Sequence, residues 1–357
     1  MKAVARPVFD PEGALGWRNQ ALDGLNCVLR CVEAVLRWRG LEPHEVARAL
    51  SGPLDPVDRD LAEDFDGCRL TWHFADDDGA RNWPFVLNSL AVGEPVVVMP
   101  DRFHVPGDVY QGRFHFHDHA VLAVGWDAGD EMITVLDTDA APAAGFRRRW
   151  GLGPALPALC TRVTTVTLTG APDRRDPHDY LAERLDRDTA LLATGTHAFA
   201  ELLGGLRETG VGPVTARALH VLMLGHLQPL LFVFAHALSF PDVLGRPPGL
   251  DRNAAAVRRA ALGARIRAMR LGVGLIAAHE QRDPAAHYPR VLELCAPLVA
   301  ALERLVTAMT AAGGDPGPSD PEAFVRLRAR LAGIERTCFP VRHRAAVGPA
   351  LRSTRRT

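Results

Sequence analysis

Apolar positions repeat with two different periods along this chain, and the change of period divides it in two. In the first half, Val28, Val32, Val35 and Leu36 recur at helical spacing, which predicts a helix over Asn26 to Arg39 with Asn26 as its cap and Gly40 at its end. A second short helix is expected over Pro43 to Leu50. Alternation predicts a strand over Arg69 to Phe74, and helical spacing returns over Trp83 to Leu90. The run Val96-Val97-Val98-Met99 reads as a buried strand. A loop rich in Gly, Pro and aromatic residues, Asp101 to Gly112, leads to two β-like runs, His117 to Trp126 and Met132 to Leu136. The turn residues Asp127-Ala128-Gly129-Asp130 join them as a hairpin. One further strand is expected over Thr161 to Leu168.

After the break Gly170-Ala171-Pro172-Asp173 the pattern is helical throughout, with segments expected at about 179–208, 213–240, 252–280, 286–312 and 320–336. The fold class that follows is α+β. An α+β domain over 1–172 precedes an α-helical domain over 175–340, and a basic tail over 341–357, with five arginines after residue 341 and no acid, is expected to stay disordered. The most apolar segment, Ala218 to Phe240, is long enough to cross a bilayer. It carries His220, His226, Gln228, Pro229 and His236, which favour a buried helix pair instead.

Composition narrows the choice of function. An apolar content of 47% with 23% charged residues describes a packed protein, and a formal net charge of −1 gives no general attraction to nucleic acid or anionic lipid, so neither nucleic acid nor membrane is expected as a partner. The start of the chain has no apolar core of signal-peptide length, and six cysteines in 357 residues are too sparse for a disulfide framework. A cytoplasmic setting is expected. Gly-rich phosphate loops and Cys-x-x-Cys pairs are absent, and no cofactor is expected.

Candidate chemistry centres on Cys27. It directly follows the cap residue, in a first helical turn whose unpaired N–H groups and dipole favour thiolate over thiol. The same N–H groups could hold an oxyanion, with the side chain of Asn26 or Gln20 as second donor. A thiolate also needs an imidazole and a group that orients it. His119 opens the first hairpin run and Asp137 closes the second, so antiparallel pairing would bring them to one end of the sheet. Asp139 is an alternative orienter; Asp137 is preferred because it directly follows the apolar run. His115, His117 and His119 alternate and could instead share a zinc ion, but no further ligand cluster accompanies them, and no metal is expected.

These residues resemble a family. Asn26-Cys27 opening a helix, Pro95-Val96-Val97-Val98 with Asp101, Asp118-His119-Ala120-Val121-Leu122-Ala123-Val124-Gly125-Trp126-Asp127 and Val135-Leu136-Asp137 resemble the papain-like cysteine proteins of the bacteriocin-processing peptidase type. They are closer to the acyltransferases typified by butirosin biosynthesis protein H, in which a helical region follows the papain-like half. The resemblance covers roughly residues 20–140. It implies a papain-like catalytic domain with Cys27 as nucleophile, His119 as base and Asp137 as orienting group. It also implies an acyl or peptidyl carrier protein as thioester donor and a small amine, amino-sugar-like, as acceptor in natural-product biosynthesis. His117, Tyr110 and His226 are assigned to substrate binding. A peptidase or thioesterase, and a non-catalytic binding module on the same fold, are the alternatives.

Overall fold

A computed structural model of the chain describes residues 26–59, 61, 65–74, 80–105, 111–112, 119–137, 147–151, 160–239, 252–318 and 320–338. Contacts divide it into two compact units, one from the described residues of Met1–Leu50 and Gly67–Pro172, the other from those of Ser51–Asp66 and Asp173–Thr357.

The first unit is α+β. Helix α1, Cys27–Trp38, starts where Asn26 accepts a hydrogen bond from Leu29 N at 2.9 Å, and it buries Leu29, Val32, Val35 and Leu36. Helix α2, Pro43–Ala49, opens on a capping box between Glu42 and Glu45, with Pro43 in the first turn where a missing N–H costs nothing. Strands β1, Cys68–Leu70, and β2, His73–Phe74, precede helix α3, Trp83–Ala91. Then come β3, Val96–Met99; β4, Val121–Asp127; β5, Met132–Leu136; β6, Arg147–Gly151; β7, Arg162–Thr164; and β8, Val166–Leu168.

Six strands form an antiparallel sheet in the order β2-β7-β3-β4-β5-β6, and β1 pairs with β8 separately. The stretches 69–74 and 161–168, each expected as one strand, are both interrupted. Cys68 pairs with Leu168 and His73 with Val163, so their antiparallel register continues unbroken past the interruption. The ribbon leaves one sheet and joins the other.

One face of the large sheet holds Val96, Val98, Val121, Ala123, Ile133, Val135 and Val163, packed with Val86 of α3 and with Trp83, Phe85 and Trp126 at the margin. Trp83 meets Trp126 edge-on at 5.1 Å. The alternate residues Val97, Leu122 and Leu136 are fully buried on the opposite face, and α1 packs against β3 and β4. Between β4 and β5, Asp127 Oδ1 accepts from the N–H groups of Gly129 and Asp130 at 3.0 and 3.2 Å, the Asx turn that the sequence Asp-Ala-Gly-Asp encodes. A bulge between Ala123 and Gly125 bends the hairpin.

The second unit is helical: α4, Pro177–Thr209; α5, Pro213–Val221; a π-helical turn, Leu222–Leu227; α6, Gln228–Ala237; α7, Arg252–His279; α8, Pro284–Leu292; α9, Cys295–Ala311; and α10, Ala323–Cys338. Pro229 has no N–H for the carbonyl four residues before it, and the helix widens in the turn just ahead of it. Pro297 likewise cannot serve Glu293, so the single helix expected over 286–312 is two. The apolar segment Pro213–Ala237 is long and apolar enough to cross a membrane; 72% of its most apolar window is buried within the protein.

Residues 51–66 belong to this unit, although their place in the sequence assigns them to the first domain. Buried charge holds them there. Arg184 donates to Ser51 Oγ at 2.7 Å, to Asp66 at 3.1 Å and to the Gly52 carbonyl, while Asp188 accepts from Leu54 N at 3.2 Å. Arg330 donates to the carbonyls of Val57 and Arg59 at 2.6 and 2.8 Å. A Cβ at Gly195 would stand 2.6 Å from the Pro56 ring, so only glycine admits this close approach.

Three histidines of this unit are kept neutral. Burial lowers His220 to about 4 and, with the Arg330 cation beside it, His226 to about 3; His236 falls to about 4 through burial and the nearby Arg258 and Arg265. An unfolded histidine protonates near 6.5, so below that pH the unfolded chain binds more protons. Stability is full above pH 6.5 and is lost as pH falls toward about 4, by up to ~1.4 kcal/mol per pH unit for each group. Urea midpoints read from helical ellipticity should drop steadily over this window, and less steeply in His226→Gln. A pH-independent midpoint would contradict this assignment.

Candidate functional site

The position of Cys27 is set by the way α1 begins. Asn26 has extended backbone angles and caps with its side-chain oxygen, which makes Cys27 the first helical residue. Leu29 N–H is used by that cap and Arg30 N–H by the Asn26 carbonyl, at 2.9 Å each.

His119 lies two residues before β4 and Asp137 directly follows β5, at the same end of the hairpin, since Leu122 pairs with Leu136. Just past that pair, the side chains bridge diagonally: His119 Nε2 is 2.9 Å from Asp137 Oδ1. Asp137, as a carboxylate, can only accept, so Nε2 is the donor in this contact. Each of these two side chains is about 12% exposed, so the pair sits in a sheltered place that still reaches solvent. The helix that starts with Cys27 packs on β3 and on β4, the strand that His119 precedes.

The other described thiols are built differently. Burial raises Cys160 to about 12 and, against the pull of Arg207, Cys295 to about 11; Cys31 is fully buried, and Cys68 donates to the Ala49 carbonyl at 3.6 Å. Among the cysteines with described side chains, only Cys27 is partly exposed.

Of the remaining sequence-derived site residues, Gln20, Tyr110, His115, His117 and Asp139 lie outside the described residues. His226 lies in the helical unit, where its Nδ1 accepts from Arg330 Nη2 at 2.9 Å. That contact gives it a structural partner there. Among the described residues no group of three or more His, Cys, Asp and Glu side chains could hold a metal ion.

A second feature had no signal in the sequence. Near the far end of α1 from Cys27, Trp38, Arg39, Phe85, Ser89, Glu94 and Thr165 line a cavity of about 710 Å³, with an ion pair between Arg39 and Glu94 in its wall. Its residues come from the end of α1, from α3 and the turn after it that leads to β3, and from Thr165 to Leu168, the stretch that includes β8; only the fold brings them together.

No known family model matches this chain, and none of the curated proteins compared with it is similar in sequence.

Proposed function

We propose that the first unit is a papain-like thiol acyltransferase, with Cys27 as nucleophile, His119 as proton carrier and Asp137 as its orienting group. The donor is a thioester on an acyl or peptidyl carrier protein, and the acceptor is a small amine. Thiolate Cys27 attacks the thioester carbonyl, and the oxyanion is held by N–H groups at the start of α1. The carbon–sulfur bond to the carrier breaks, and the departing thiolate takes the proton from His119. The amine then attacks the acyl-cysteine, His119 accepts a proton from it through Nδ1, and the bond to Cys27 Sγ breaks as the amide forms. Asp137 holds the ring by Nε2 throughout and offsets the positive charge of the imidazolium.

The observation that carries this reading is the 2.9 Å contact between His119 and Asp137, in a unit whose partly exposed cysteine opens the helix packed on β3 and β4. The donor and acceptor classes rest on the sequence resemblance. The test is intact-mass spectrometry after incubation with a panel of acyl thioesters. An acyl adduct on the wild type, missing in Cys27→Ala and discharged faster by added amines than by water, is the expected result. An adduct that water discharges as fast as amines would make the protein a thioesterase. No adduct from any thioester would overturn the thiol mechanism.

A further inference from the structure

Helix α7 carries six arginines, Arg252, Arg258, Arg259, Arg265, Arg267 and Arg270, and no acidic residue in its 28 positions. The whole chain has a formal charge of −1, so everything outside this helix sums to −7 (−1 minus +6), and the positive charge is a local feature. The helix has a clear inner face: Val257, Ala261, Ala264, Ala268, Leu271 and Leu275 are buried against its neighbours. Two arginines serve that packing, Arg265 lying over the Phe232 ring at 4.4 Å and Arg258 with its Nε buried.

The outer face is unusual in a different way. Ile266, Met269 and Val273 are 40%, 37% and 51% exposed, and their spacing of three and four places them on one line. They make up half of the large apolar side chains that are exposed among the described residues. Arg259 and Arg270 are exposed on the same face and Arg267 is half-buried beside it. An apolar stripe with cations along one flank complements a second helix bearing apolar residues at the same spacing and carboxylates along the facing edge. Planar guanidinium groups pair with carboxylates through two parallel hydrogen bonds.

We infer that the outer face of α7 is a docking surface for an acidic amphipathic helix presented by a partner protein. A lipid surface fits it less well. Membrane-surface helices insert large aromatic and leucine side chains several ångströms deep, and this face offers only three part-sunk aliphatic ones on a helix whose opposite side is fixed in a bundle. Docking at α7 needs no chemistry at Cys27, so it stands or falls separately from the acyl-transfer reading.

The test uses the full chain carrying Cys27→Ala and two labelled helical peptides, one with leucines at this spacing flanked by glutamates, the other with lysines in their place. Fluorescence anisotropy should show saturable binding of the acidic peptide that weakens with added salt, and no binding of the basic one. Binding should fall about tenfold or more in the triple variant R259E/R267E/R270E, and comparably in the double variant Ile266→Asp with Val273→Asp, with ellipticity confirming that both fold. Equal binding by wild type and triple variant, absence of binding by the wild type, or equal binding of the two peptides would overturn the inference. So would adsorption to phosphatidylglycerol vesicles by a chain that ignores the acidic peptide.

Discussion

Replacing His119 by alanine should slow thioester acylation of Cys27 by about 10²–10⁴-fold while leaving the fold unchanged. The imidazole is expected to take the thiol proton and later to return it to the leaving group. Asp137→Asn is the companion variant. An amide can face Nε2 with either its oxygen or its nitrogen, and in the second orientation it selects the tautomer whose lone pair points at the amide instead of at the thiol. Its effect should therefore lie between wild type and His119→Ala. The initial rate of adduct growth, followed by intact mass at saturating thioester, separates these variants from Cys27→Ala, which should form no adduct at all.

Asp188→Ala should destabilise the helical unit by about 3–5 kcal/mol. Asp188 is fully buried, accepts from Arg184 Nε at 2.5 Å and Arg187 Nε at 3.0 Å, and holds Leu54 N–H. Removing the carboxylate leaves Arg184, only 4% exposed, with a buried charge that Asp66 and neutral partners must compensate, and it releases the segment 51–66 at Leu54. Restoring neutrality by combining Arg184→Met with Asp188→Leu should return a substantial part of the loss, because two apolar side chains leave no buried ion behind. Urea unfolding followed by ellipticity measures both. A single variant with wild-type stability would show that the network contributes nothing.

The parts of this architecture that could be read in the sequence are those set by local signals. Asn26 and the spacing of Val32, Val35 and Leu36 define α1, and the apolar runs at Val96 and Met132 give β3 and β5 with the boundaries expected. The relation of His119 to Asp137 was legible because an Asx turn fixes the hairpin between them and register then does the rest. What escaped depends on partners distant in the chain. Strand β6 contains Arg147-Arg148-Arg149, which reads as a polar loop; only pairing with β5 makes it a strand. The breaks near Thr71 and Thr165 have no breaker residue, since the ribbon divides to serve two sheets. Residues 51–66 join the helices through Arg184, Asp188 and Arg330, charges that on a helix surface would ordinarily face water.

Cys27 and His119 are proposed to work as one unit, and the most direct test of that needs no substrate. It is the rate at which iodoacetamide modifies Cys27, located by peptide mass, followed across pH in wild type and His119→Ala. A working pair predicts rapid modification of the wild type and a large loss of that rate in His119→Ala, because the imidazole is the group that takes up the thiol proton. Identical rates in the two proteins at every pH would contradict it.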